Sequence, residues 1–422
     1  MSSLVSYQAN LCAAPNPKNC RIYLRHTFKF LKVIFCLGCV VGCSSTSNSS
    51  VLVDSAPAKL ANTKLGSSAT IVTTASPNNL SFTLAVSGDT LPHSRLWQGA
   101  KRNAIANGTI NKDGDTYDFR PMFALVKPII SSVDLAICHL ETPIAPAGEE
   151  LSTFPFFGVP SEITDALAYA GYDRCSTASN HSMDRGTRGI DTTLNALDRV
   201  RISHTGMART PEEINPKLIS VNGISIAHMS YTFSYNGLPA DNGETWRSAL
   251  IDTDRILNDV RQARKLGAQV VLLSMHWGNE RESTPSSYQT KIADAITKSG
   301  EVDLIIGSHA HVLQPIKLVN GTWVIYGLGN FLSDMPTTPK DPPWPASTQD
   351  GAIVTTKITV TTDGKVLIAK PIVIPTWVDR NSGWQIRSVV SDLKSKDINS
   401  STRAELQASL KRTTSVLGEY IR

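Results

Sequence analysis

Cysteine is scarce in this chain: seven in 422 residues, and five of those fall within the first 43. Only Cys138 and Cys175 lie beyond, each in a predicted strand. They read as two small buried hydrophobes, with a disulfide in an oxidising compartment as the alternative. Acidic residues are missing from residues 1–32, which carry Lys18, Arg21, Arg25, Lys29 and Lys32. Those five cations account for the whole formal charge of +5, so the remainder is balanced. A sequence pI of 8.7 therefore says little about partners. No basic patch of the nucleic-acid-binding kind survives outside the leader. No short-period repeat is present, and beyond residue 80 no composition break resembles a linker. One large domain is expected.

The start of the chain reads as an address. An apolar run at 33–41, too short to span a bilayer, follows the basic stretch and leads into Gly42-Cys43-Ser44. Val40-Val41-Gly42-Cys43 resembles a bacterial lipoprotein signal, in which Cys43 becomes the lipidated first residue. Residues 1–43 read as this signal, with an ordinary signal peptide or an uncleaved anchor as the alternative, and Ser44 in place of Asp fits outer-membrane sorting in a two-membrane cell. Residues 44–80, rich in Ser, Thr, Ala and Asn, are too poor in apolar residues for a core and read as a tether.

Five apolar runs each end in a chemically capable side chain. Residues 82–86 lead to Gly88-Asp89, 133–138 to His139-Leu140-Glu141, and 175–179 to Asn180-His181. Residues 270–275 lead to His276, and 302–306 to Gly307-Ser308-His309-Ala310-His311. Short Val/Ile/Leu-rich runs bounded by Gly and polar residues read as buried strands, and ligands of open α/β sheets bind beyond strand carboxyl ends. Helices are expected at 162–170, 192–200, 253–266 and 286–299, three of them stopped by Gly171, Gly267 and Gly300. Helix–Gly–strand units argue for parallel strands. Residues 353–360, 366–368 and 372–374 read as strands, the first two joined as an antiparallel hairpin at Asp363-Gly364, and 402–421 as a terminal helix.

Each cluster has a bland alternative: a solvated loop histidine, an ordinary Gly-Asp turn, a capping imidazole. Their convergence favours a dinuclear metal site. His309 and His311, two apart in extended backbone, point the same way, and His276 supplies a third imidazole. Asp89 is expected on one ion, Glu141 bridging two, and Asn180 offering its amide oxygen. His181, beside the ions and not on them, is placed to protonate a leaving group. Imidazole with carboxylate suits Zn, Fe or Mn without choosing among them.

The chain resembles the bacterial CapA family of poly-γ-glutamate capsule biosynthesis proteins, whose fold is that of calcineurin-like metallophosphatases. The carriers are Gly88-Asp89 with Arg95, His139-Leu140-Glu141-Thr142-Pro143, Ala178-Ser179-Asn180-His181-Ser182-Met183-Asp184 and Tyr231-Thr232 with Asn236-Gly237. They continue with His276-Trp277-Gly278-Asn279-Glu280, residues 307–315, residues 326–331 around Asn330, and Pro375-Thr376-Trp377-Val378. The resemblance covers roughly 82–380 and implies an α/β fold, a four-layer α-β-β-α sandwich, over 81–380, with 381–422 as a helical extension packed on it. It implies Asp89, Glu141, Asn180, His276, His309 and His311 as ligands of two divalent cations, with His181 as catalytic acid. Arg95 would neutralise an anionic substrate, while His139, Asp184 and Asn330 would stand beside the ligands. His139 replaces the family's usual Asn, and the metallophosphatase Asp-x-His opening is reduced to Asp89.

Two readings follow from the resemblance. In one, an envelope-tethered hydrolase uses metal-activated water on an anionic polymer or a phosphoester. In the other, a non-catalytic assembly lipoprotein keeps the metal for structure. Membrane-bound polymer synthesis or export proteins are the implied partners, with no nucleic acid.

Overall fold

The computed structural model describes residues 78–109, 116–240, 243–335 and 344–422. The signal segment with Cys43 lies outside them, as does the tether up to residue 77; Leu80 already begins a strand. All that follows concerns the compact unit beginning at Thr73.

The chain builds one sheet, leaves it for a second, and returns. Strands β1 (Leu80–Thr90), β2 (Leu135–Leu140), β3 (Arg174–Ser176) and β4 (Ser203–Thr205) pair in parallel. Helices α1 (Ser94–Ala106), α2 (Arg120–Phe123), α3 (Lys127–Ile130), α4 (Ile163–Ala170) and α5 (Gly186–Arg199) connect them. The second sheet holds β5 (Leu218–Val221), β6 (Ile224–Thr232), β7 (Val270–Trp277), β8 (Leu304–His309), β9 (Ile316–Val319) and β10 (Thr322–Ile325), in the order β5-β6-β7-β8-β10-β9. Between its strands run α6 (Thr253–Lys265) and α7 (Ser287–Thr297). The return supplies β11 (Asn330–Leu332), β12 (Asp350–Val360), β13 (Val366–Ile368), β14 (Ile372–Asp379) and β15 (Gln385–Ser388), then α8 (Val389–Lys394) and α9 (Ser400–Leu417). The first sheet runs β15-β14-β12-β1-β2-β3-β4, with β11 beside β1 and β13 beside β12.

Alternation along the strands explains the layering. In β7, Val270 and Leu272 join Phe82, Leu84 and Val86 of β1 in the core between the sheets. Val271 and Leu273 instead pack with Ile256, Val260 and Ile296 of α6 and α7. On the outer face of the first sheet, Ala85, Ala136 and Cys138 meet Leu96, Leu167 and Leu194 from α1, α4 and α5. The result is the four-layer α-β-β-α sandwich. Capping is local and sequence-encoded: Ser286 and Gln289 form a reciprocal capping box at α7, and Gly171 closes α4 with φ 101°.

Two expectations are corrected. Cys138 and Cys175 are bonded to each other, not separate thiols; register places them opposite one another on β2 and β3, with Cα atoms 4.5 Å apart. The strand expected at 175–179 ends at Ser176 and begins at Arg174. Arg174 is buried because its guanidinium bonds His228 Nδ1 at 3.1 Å and the His228 carbonyl at 3.2 Å between the sheets.

Candidate metal centre

The parallel strands deliver their carboxyl ends to one edge of the sandwich. Asp89 is the penultimate residue of β1, Glu141 follows β2, and Asn180 and His181 occupy the loop after β3. His276 is the penultimate residue of β7 and His309 closes β8, with His311 two residues on. All seven are buried. Two glycines allow this convergence. At Gly88 a Cβ would stand 2.0 Å from the Gly329 carbonyl oxygen, and at Gly307 one would stand 2.0 Å from that of Tyr326. The glycines of both motifs thus permit backbone to approach backbone just before a site residue.

Three ligand-capable groups overlap here: Asp89, His139 and His276; Asp89, Glu141 and His311; Glu280, His309 and His311. Within each, the offered atoms lie within 4.8 Å of one another. His311 Nδ1 is 3.2 Å from Asp89 Oδ2 and 2.9 Å from Asn330 Oδ1, while its Nε2 is 3.8 Å from Glu141 Oε1. The His309 backbone N–H donates to both Asp89 oxygens at 3.3 Å. His276 Nε2 lies 2.9 Å from Asn180 Oδ1, and its Nδ1 is 3.0 Å from His139 Nε2. His309 and His311 adopt left-handed backbone, φ 94° and 56°, a strain that collects at functional sites.

His139 was expected beside the ligands. The alternative, that it compensates for the missing histidine of the Asp-x-His opening, agrees with its ring nitrogen lying in one group with Asp89 and His276, its Nδ1 2.9 Å from Ser176 Oγ. Asn330 and Asp184 do stand one step back. Asp184 Oδ2 is 2.7 Å from His181 Nδ1 and accepts the Phe157 N–H at 2.7 Å, fixing the imidazole. Arg95 is not drawn into the cluster: it is half-exposed, with Nη1 3.5 Å from Asp334. Glu280 is the group that the sequence reading left without a role, although it stood in the His276–Glu280 motif.

The electrostatics fit a cation. Burial, reinforced by Asp89, drives the Glu141 carboxyl well above its ordinary value, against the pull of His311. Burial and neighbouring imidazoles push His276 and His309 well down, which leaves them neutral, the form that ligates. Burial also opposes protonation of His311, but Glu141 and Asp89 override it and raise it to about 10. Both Glu141 carboxylate oxygens and His309 Nδ1 are buried without a hydrogen-bond partner among the described residues. Polar atoms so placed are costly unless a ligand serves them.

The cluster opens into a cavity of about 650 Å³ that Asn180, His181, Glu280 and His311 line together with Arg95. Phe154 and Phe156, 68% and 50% exposed, stand on its rim. His93 also lines it, pushed down to about 3 by burial and by His311. Phe157 packs edge-on against both His93 and His181.

Buried carboxylates and imidazoles at the strand ends of two facing sheets define an α/β protein with a metal-competent centre. The family model "Bacterial capsule synthesis protein PGA_cap" matches residues 83–335, and the chain belongs to this family. It is 28% identical over 242 residues to "PGA biosynthesis protein CapA" of Bacillus subtilis (strain 168), covering 55% of this chain and 60% of that one. It is 26% identical over 253 residues to "Capsule biosynthesis protein CapA" of Bacillus anthracis, covering 58% of each. The chain thus spans about 60% of the length of these curated relatives. Among solved structures, the calcineurin-like phosphoesterase YfkN from Bacillus subtilis is similar with a TM-score of 0.44, 12% identity, and coverage of 80% of this chain and 98% of that one. For the Haemophilus influenzae NAD nucleotidase the values are 0.41, 14%, 82% and 57%. The resemblance read from the motifs is borne out at the level of family.

Proposed function

We propose that this protein is a metal-dependent hydrolase of capsule-polymer assembly, held at the cell envelope through Cys43, which cleaves a bond within poly-γ-glutamate or a similar anionic polymer. The observation that carries the reading is Glu141, whose two oxygens lie buried with no hydrogen-bond partner among the described residues, in one ligand-capable group with Asp89 and His311. Asp89, Glu141, Asn180, His276, His309 and His311 would hold divalent cations, joined by His139 and Glu280. Bound there, the cations would polarise the scissile group and acidify a water. The chain's own residues do the rest. Asp184 accepts a hydrogen bond from the Nδ1–H of His181, so the ring presents its Nε2–H to the cavity, and the imidazolium gives that proton to the leaving group. Arg95 attracts the polymer's negative charge, and Phe154 and Phe156 cover its apolar stretches. The capsule-related names of the relatives support the polymer, and membrane-bound synthesis or export proteins are the partners this role requires.

The test is His181→Ala assayed on poly-γ-glutamate with metal content measured in parallel. We expect hydrolysis to fall about 10²–10⁴-fold with metal retained. Undiminished hydrolysis would remove His181 from the chemistry. A wild-type protein that binds metal and cleaves nothing would leave the non-catalytic assembly role.

A further inference from the structure

A second cavity, of about 210 Å³, is lined by Arg281, Ser283, Ser347, Asp350, Arg412 and Thr413, among others. Arg412 and Asp350 neutralise each other through two contacts, Nε to Oδ2 at 2.5 Å and Nη2 to Oδ1 at 2.8 Å. The remaining charge is that of Arg281. Among the described residues no carboxylate lies within salt-bridge distance of it, and its guanidinium sits 5.1 Å from the Trp344 ring centroid. Thr413 lines the same space, and its hydroxyl is buried with no hydrogen-bond partner. An exposed guanidinium with no carboxylate beside it and a threonine with a partnerless hydroxyl line one cavity, and a guanidinium so placed can donate to the oxygens of an anion.

The cavity is coupled to the candidate metal centre. Arg281 holds a left-handed backbone, φ 68°, and its N–H donates at 2.8 Å to the carbonyl of Ala310, the residue between His309 and His311. Such strain persists only where the surroundings over-determine it, and it gathers at ligand clamps. Glu280, its neighbour, lines the main cavity, and so does Trp344, whose ring meets that of His311 at 5.8 Å. Arg281 therefore lines one cavity while touching the residue that lines the other.

We propose that this second cavity is an oxyanion subsite, with Arg281 as its cation, that holds a carboxylate or phosphate of a chain-like substrate beyond the unit at the metal centre. It rests on the reading that an anionic polymer occupies the main cavity. A guanidinium fork suits this role because it can grip two oxygens of one anion.

The test is calorimetric titration of the full-length protein with γ-linked glutamate dimer and hexamer, and with diphosphate and linear hexaphosphate. Wild type is expected to prefer the long member of one series, and that series names the anion. Arg281→Ala should weaken that long ligand about tenfold or more and its short counterpart less than twofold. Arg281→Lys should recover part of the loss, and Thr413→Val should weaken the long ligand alone. Equal losses for short and long ligands, no loss for either, or no length preference in wild type would each overturn the subsite. The titrations are repeated in a His181→Ala background, which keeps the heat of hydrolysis out of the comparison. A protein that cleaves nothing but keeps the length-dependent Arg281 effect refutes the hydrolase and retains the subsite.

Discussion

Gly88→Ala tests whether close backbone approach builds the metal centre. The added Cβ would lie 2.0 Å from the Gly329 carbonyl oxygen and 2.8 Å from that of Leu328. Both obstacles are backbone, so β1 and Gly329 must part by about 1.5 Å to restore ordinary contact. The Asp89 N–H to Gly329 carbonyl bond, now 2.9 Å, would then pass the useful range for N–H···O. Overpacking costs about 1–3 kcal/mol and the lost bond about 1 kcal/mol. Together these give about 2–4 kcal/mol, a fall of about 4–8 °C in melting temperature for a domain of this size. Because Asp89 rides on the displaced strand, metal affinity should drop about 10–100-fold, as when a ligand loses its support. The control is Gly364→Ala, where φ is 82° but nothing stands within 4 Å of the new Cβ. It should cost about 1–2 kcal/mol from backbone strain alone and leave metal binding intact. Differential scanning calorimetry and metal titration read both effects. If Gly88→Ala keeps full metal affinity, the argument from backbone approach is wrong.

The remaining expectations concern stability. Replacing Cys138 and Cys175 together by Ala should cost about 3–4 kcal/mol, the entropy of closing a loop with 37 residues of separation, and should abolish any effect of reductant on the denaturation midpoint; an unchanged midpoint would mean the two thiols are independent. Burial alone would raise the Glu213 carboxyl from 4.5, but hydrogen bonds from the Arg209 guanidinium and backbone N–H hold it down at about 2. A depressed carboxyl stabilises the fold above the unfolded value and loses that contribution as pH falls through the folded one. Glu213→Gln should therefore cost about 1.5–3 kcal/mol at pH 7, with the difference from wild type closing between pH 4.5 and 2; a difference constant with pH would contradict the pairing.

Much of the site was legible because chemistry and secondary structure punctuate the sequence together. The runs leading to Asp89, Glu141, His276 and His309 are β-branched, apolar and ended by polar residues, and they became β1, β2, β7 and β8. Where a strand buries polar side chains, that signal fails. β6 carries His228 and Ser230 among its apolar residues and was not anticipated, because His228 is satisfied by Arg174 and Ser274, partners 54 and 46 residues away. Helix α1 was also missed. Glu280 and the ligand-competent placement of His139 depend on tertiary contacts; the His139–His276 approach joins residues 137 apart in sequence.

Metal stoichiometry of the purified protein, measured by elemental analysis beside a His309→Ala/His311→Ala variant, bears most directly on the central claim. The variant removes two imidazoles from the groups that include Glu141 and Glu280. The expected result is about two equivalents of a divalent transition metal in wild type, the count of a two-metal hydrolytic site, and loss of most of it in the variant. No bound metal after reconstitution with Mn, Fe and Zn, or equal content in both proteins, would contradict the account.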